Sequence, residues 1–184
     1  MARYFAFLRA INVGGRIVRM ERLRREFESL RFSAVETFIA SGNVIFESRA
    51  TNEKLLREKV ERHLKQVFGF EVATFLRSSA ELGQIPKHFP FSAAAGAAAG
   101  HSILVAFLNA APDSATAKNL IAWRSETDDF RIQEREIYWL CRTRMSDSKF
   151  SGARLEKIIG QPATIRNLST IKRLAAKYPP RARS

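Results

Sequence analysis

Four short segments hold the residues whose types and spacing suit chemistry. In "LRAINVGGR", residues 8–16, Arg9 and Arg16 are cations, Asn12 is a neutral donor, and Gly14 and Gly15 follow directly on an apolar run. Adjacent glycines after a strand can turn backbone N–H groups toward an anion, and flanking arginines would add charge. Neither the Walker spacing nor G-x-G-x-x-G is present, so neither phosphate loop is indicated. The same pair also suits a sharp turn, and both readings stay open.

In "ASGNV", residues 40–44, Ser41, Gly42 and Asn43 fit a two-residue hairpin turn with glycine at the first central position. Alternatively, Ser41 and Asn43 give hydrogen bonds to a ligand held beside Arg9 and Asn12. "TIRNLST", residues 164–170, sets Arg166 and Asn167 before a helical run. A helix N-terminus carries unpaired N–H groups, so an arginine there suits a phosphate or carboxylate, while capping alone accounts for Asn167. "SDSKF", residues 146–150, offers Ser148 as a hydroxyl and Lys149 as a cation, both equally at home as solvated groups near a helix start.

Other chemistry finds little support. His63, His88 and His101 are isolated, with no metal-ligand spacing between any two, and G-x-S-x-G is absent. Asp128 and Asp129, with Glu134 and Glu136, could hold a cation, but alternating acids on an exposed strand need no such reason. Cys141, the lone cysteine, lies in the apolar run "IYWLCRT" and reads as a buried filler. Neither a metal nor a cofactor is expected.

The elements that must position these segments follow from periodicity. "RYFAFLR" reads as a strand, and Met20, Leu23, Phe27 and Leu30 mark a helix after it. "AVETFIA" and "NVIFES" read as paired strands. Leu56, Val60, Leu64 and Val67 mark a second helix stopped by Gly69, and "FEVATFLR" is a further strand. The order βαββαβ is that of a ferredoxin-like unit, two helices on one face of an antiparallel sheet. Ser78 and Glu81, in capping-box spacing, open a short helix that Pro86 and Pro90 end.

"SAAAGAAAG", residues 92–100, is low in complexity and reads as a flexible connection. Beyond it "AFLNA" at 106–110 repeats "AFLRA" at 6–10 in all but one position, which points to a duplicated unit. Asp113 is the expected cap of the next helix, "DDFRIQ" and "EIYWLC" form a hairpin, and Leu155, Ile158 and Ile159 face inward from a helix that Gly160 ends. "RNLSTIKRLAAKY" is expected as a helix in place of a fourth strand. The division expected is therefore a first half at 1–91, a connection at 92–100, a second half with C-terminal helices at 101–178, and a disordered tail at 179–184.

The chain has 184 residues, 46% of them hydrophobic and 27% charged, a globular composition. No apolar run approaches the ~20 residues that span a bilayer, so neither a leader nor a membrane partner is expected and a cytoplasmic protein is the default. The net charge of +13 attracts polyanions, although the arginines are scattered and a solvated basic surface would look the same.

Together "LRAINVGG", "ASGNVIFES" and "TIRNLSTIKRL" resemble the bacterial "domain of unknown function 1697" family, whose pattern runs L-R-G-I-N-V-G-G, then S-G-N-V-x-F, then T-T-R-N-W-N-T. The resemblance implies an α+β fold of duplicated ferredoxin-like halves and brings no established activity. Its matching positions are Arg9, Asn12, Gly14, Gly15, Ser41, Gly42, Asn43, Lys149, Arg166 and Asn167. Ala10, Ile165, Leu168 and Ser169 depart from the pattern. The function expected is a binding module for an anionic ligand, a small molecule such as a nucleotide or the phosphates of a nucleic acid. The alternatives are an enzyme acting on a phosphorylated or carboxylated small molecule, with Ser41 as nucleophile and Lys149 and Arg166 as charge stabilisers, and a protein-interaction scaffold. Oligomeric state is left open by the sequence.

Overall fold

The computed structural model describes residues 1–92 and 100–180, so most of the expected connection at 92–100 and the end of the expected tail lie outside the described residues. The chain divides into two compact units, Met1–Gln84 with Leu174–Ser184, and Ile85–Arg173. Both are α+β.

In the first unit the elements run β1 (Ala2–Leu8), α1 (Met20–Ser29), β2 (Ser33–Thr37), β3 (Asn43–Ser48), α2 (Glu53–Phe68), β4 (Thr74–Ser78) and α3 (Ser79–Gln84). The sheet is antiparallel in the order β2-β3-β1-β4, the ferredoxin-like arrangement. Alternation along β1 sends Tyr4, Ala6 and Leu8 into a core with Leu23 and Phe27 of α1 and Leu56, Val60 and Leu64 of α2. The intervening Phe5 and Phe7 are buried as well, with Ile45 and Phe75, so both faces of this sheet are apolar.

Local signals end the elements where expected. Asn52 caps α2 through Leu55 N–H at 3.1 Å, and Gly69 closes it in the left-handed region at φ +78°. Ser78 and Glu81 form a complete capping box: the Glu81 carboxylate accepts Ser78 N–H and O–H, each at 2.8 Å, and Ser78 Oγ accepts Glu81 N–H at 3.3 Å.

The second unit repeats the order with β5 (Ser102–Phe107), α4 (Ser114–Ile121), β6 (Asp128–Gln133), β7 (Glu136–Cys141), α5 (Gly152–Ile159) and β8 (Thr164–Asn167), followed by α6 (Leu168–Lys177). Its sheet order is β6-β7-β5-β8, all antiparallel. The echo of "AFLRA" in "AFLNA" is the central strand of each sheet: Ala6 stands between Val44 and Leu76, Ala106 between Ile137 and Ile165. Asp113 caps α4 through Thr116 N–H at 2.7 Å, and Cys141 is fully buried in the core with Trp139, Phe130, Phe150, Leu155 and Ile159.

Two sequence expectations need correction. The second half does contain a fourth strand: "TIRN" is β8, and the helix begins only at Leu168. This strand is four residues long and runs directly into α6, so the helical period after it masks it. Nor is "ASGNV" a two-residue hairpin. β2 ends at Thr37, β3 starts at Asn43, and residues 38–42 make a wider loop closed by Phe38 N–H on the Asn43 carbonyl at 2.9 Å.

Candidate functional site

The first two motifs meet at one end of the first sheet. Gly14 and Gly15 occupy the centre of a turn from Val13 to Arg16, closed by Arg16 N–H on the Val13 carbonyl at 3.4 Å. Both have positive φ, +66° and +81°, the signature of a type I′ turn, which glycine pairs adopt without steric cost. Nothing lies within 4 Å of where either Cβ would be, so the pair serves backbone conformation and not packing.

Asn12 braces this turn. Its Oδ1 accepts Val18 N–H at 2.7 Å and its Nδ2 donates to the Ala40 carbonyl at 3.3 Å, which ties the 11–18 loop to the 38–42 loop. Gly42, at φ +70°, lies where a Cβ would come 2.7 Å from Ile11 Cγ2, and its carbonyl accepts Leu8 N–H at 2.9 Å. Asn43 is buried and donates to the Phe38 carbonyl at 3.0 Å and to Ser41 Oγ at 2.8 Å. Each side chain thus spends hydrogen-bonding capacity on the loops themselves. Arg9 is exposed at the exit of β1, its N–H on the Ala73 carbonyl at 2.9 Å, and the Arg16 guanidinium stands 4.4 Å over the Phe70 ring.

The same loops expose aliphatic groups that sequence reasoning passed over. Val13 is 64% exposed, Ile17 86% and Ile39 43%. Ile39 also has φ +52°. A β-branched residue in the left-handed region costs about 1–2 kcal/mol of backbone strain, and the chain carries it on an exposed side chain.

In the second unit Arg166 belongs to β8, opposite Val105, on the sheet face away from Leu104, Ala106 and the helices. It is buried, donating to Thr164 Oγ1 at 2.8 Å and the Ile165 carbonyl at 2.9 Å, and burial pulls its guanidinium pKa down to about 10. Arg77 of the first unit is also fully buried and stands opposite Phe5, the counterpart of Val105 in the repeat. An arginine at this register in both sheets belongs to the architecture of the repeat. Asn167 precedes α6 and accepts Ser169 N–H and Oγ–H at 2.9 and 2.8 Å.

Lys149 instead lines a cavity of about 510 Å³ formed within the second unit by residues 122–128, 147, 149, 150 and 154. Its walls include Trp123, which is 46% exposed, and Phe150, which is buried, with their ring centroids 6.3 Å apart. The Arg154 guanidinium stands 4.7 Å over the Trp123 ring and donates to the Lys149 carbonyl at 3.1 Å, which joins the two sides of the opening. Arg124 also lines it and pairs with Asp129 at 2.7 Å. Glu126 and Asp147 bring carboxylates to the same walls.

The floor is rigid. Asp128, expected on an exposed strand, is buried, and its carboxylate accepts Trp139 Nε1–H at 2.7 Å, Thr127 Oγ1–H at 2.7 Å and Ser148 Oγ–H at 3.0 Å to both oxygens. Ser148 therefore holds the loop that presents Lys149. Trp123 and Arg154 were missed because neither sits in a motif. The available signal was a tryptophan in the polar stretch "AWRSE", where a core residue has little to pack on. Among the described residues there is no group of three or more His, Cys, Asp or Glu able to hold a metal ion, and no helix long and apolar enough to cross a membrane.

Comparison with known proteins agrees with this architecture. Residues 1–138 match the family described as Protein of unknown function (DUF1697), a span that holds "INVGG" and "SGNV" and ends before Lys149 and Arg166. The solved structure of the conserved bacterial protein SP0830 from Streptococcus pneumoniae is similar with a TM-score of 0.73 at 24% identity, covering 95% of this chain and 97% of that one, a likeness of fold. No curated protein matches the sequence.

Proposed function

The chain belongs to the DUF1697 family of proteins of unknown function, and within it we propose a binding module whose second unit takes an anionic small molecule of the nucleotide class. The observation that carries this reading is the cavity that Lys149 lines, where Arg154 stands over the half-exposed Trp123 ring. Its volume, about 510 Å³, falls in the range that ligand pockets occupy, and its walls combine the Trp123 and Phe150 rings with three basic and three acidic side chains. A phosphate suits Lys149 and Arg154, a planar base suits the Trp123 ring, and hydroxyl or amino donors suit Glu126 and Asp147. The mixed walls favour such a ligand over a bare inorganic anion.

Intrinsic fluorescence tests this directly. The chain has two tryptophans, Trp139 buried and Trp123 exposed at the cavity, so solvent-sensitive emission reports on Trp123. Titration with purine and pyrimidine mononucleotides is expected to quench that emission saturably, and Lys149→Ala and Arg154→Ala are each expected to weaken binding about tenfold or more. Emission that no nucleotide changes would sink the proposal. Binding that falls steeply with salt and is indifferent to both variants would place the interaction on the general basic surface, as for a nucleic acid.

A further inference from the structure

We infer that the loop tip at the end of the first sheet, Val13, Ile17 and Ile39 framed by arginines, docks on an anionic lipid surface. This does not rest on the nucleotide reading, which concerns the second unit. Three aliphatic side chains stand exposed on two loops that Asn12 ties together, which holds their backbones at the same end of the sheet. Ile39 keeps an apolar side chain outward from a backbone conformation that asparagine or glycine would occupy with less strain.

The surroundings fix the chemistry of the occupant. Residues 9–19 and 38–43 contain Arg9, Arg16 and Arg19 and no acidic residue. The 69–73 segment against which Arg9 and Arg16 rest adds Glu71, itself paired with Lys65, so basic charge is in excess around the apolar tip. Shallow aliphatic insertion with basic neighbours is the pattern by which proteins sit on anionic bilayers without crossing them. The net charge of +13 supplies long-range attraction to an extended anionic plane. A stable protein partner needs about 1,600 Å² of total buried surface, far more than three aliphatic side chains on two loops offer. The expectation of no membrane partner rested on the lack of a spanning run, and a surface contact requires none.

The full chain is sedimented with vesicles of phosphatidylcholine containing 30% phosphatidylserine (about one lipid in three carrying net charge), and with vesicles of phosphatidylcholine alone, across a salt series. The wild-type protein is expected to bind the anionic vesicles only. Val13→Ser/Ile17→Ser, which leaves net charge unchanged, is expected to weaken binding about tenfold with an unaltered melting curve. Ile17→Cys labelled with an environment-sensitive dye, which the buried Cys141 does not compete for, is expected to shift its emission to the blue on the same vesicles. The inference is overturned if no vesicle binds, or if the double variant binds as the wild type does, which would mean charge alone is at work. It is equally overturned if the tip variants abolish binding to an acidic peptide such as polyglutamate while vesicles stay unbound, since the tip would then be a protein contact.

Discussion

At the scale of single residues, the family motifs act first on their own loops. Gly42 combines a left-handed φ with a Cβ position 2.7 Å from Ile11 Cγ2, so Gly42→Ala meets strain and overlap together. It is expected to cost about 2 kcal/mol or more, read as a lower denaturation midpoint with an unchanged slope. Asp128 receives only donors, so Asp128→Asn replaces charge-assisted bonds by neutral ones and turns an amide N–H₂ either on Trp139 Nε1–H or on the Thr127 and Ser148 hydroxyls, which must then reverse to accept it. A loss of about 1–3 kcal/mol is expected, with Trp139 emission altered before unfolding. Types and spacing made the glycine pair legible as a turn or an anion loop, and the two positive φ values show the turn. The role of Asn12 was not legible, because its partners Val18 and Ala40 are set by how the two loops meet and not by any period in the sequence.

At the scale of elements, strands and helices with a full apolar period were readable, and loops whose shape depends on neighbours were not. β1, α1 and α2 carry enough alternation or helical spacing to declare themselves, and the repeat of "AFL" marks β5. β8 has four residues and is continuous with α6, too short to show a period of two before the helical one begins. "TFIA" reads as strand because Thr, Phe and Ile favour it, yet the backbone turns at Phe38 and Ile39 so that Ala40 reaches Asn12. That turn has a measurable consequence. Ile39→Asn relieves a left-handed β-branched residue on an exposed loop and is expected to raise thermal stability by about 0.5–1 kcal/mol. The same variant is expected to weaken sedimentation with anionic vesicles, since it removes one of the aliphatic groups of the tip. A gain of stability with undiminished vesicle binding would separate Ile39 from the docking surface.

At the scale of the molecule, a basic chain must hold its elements against its own charge, and the first unit shows one place where pH decides the outcome. Glu36 of β2 accepts Tyr178 O–H at 2.5 Å and Lys177 Nζ at 3.0 Å, and the Arg3 guanidinium stands 5.5 Å over the Tyr178 ring. Tyr178 first, then Lys177, hold the Glu36 carboxyl below its ordinary range. Its contribution is therefore complete above the usual carboxylate range, near pH 4.5, and is lost as pH falls through the lowered value. On the alkaline side the Lys177 ammonium is raised, first by Tyr178 and then by Glu36, so its contribution is lost as pH rises through that raised value. Burial, followed by Glu36, raises the Tyr178 phenol in the same sense. Glu36 is 49% exposed, so solvent screening keeps the Tyr178–Glu36 bond to no more than about 1 kcal/mol. Tyr178→Phe is expected to lower the melting temperature at pH 7 by a few degrees, and the gap from the wild type is expected to close as pH is taken from 5 toward 3. Acid protonates Glu36 in both proteins and also adds positive charge to a chain already at +13, so the comparison must be made as a difference at each pH. Tyr178→Phe keeps the ring against Phe5, 5.9 Å between centroids, so the gap reports on the hydroxyl alone, and a gap that stays constant to pH 3 would show that the hydroxyl acts independently of the charge on Glu36.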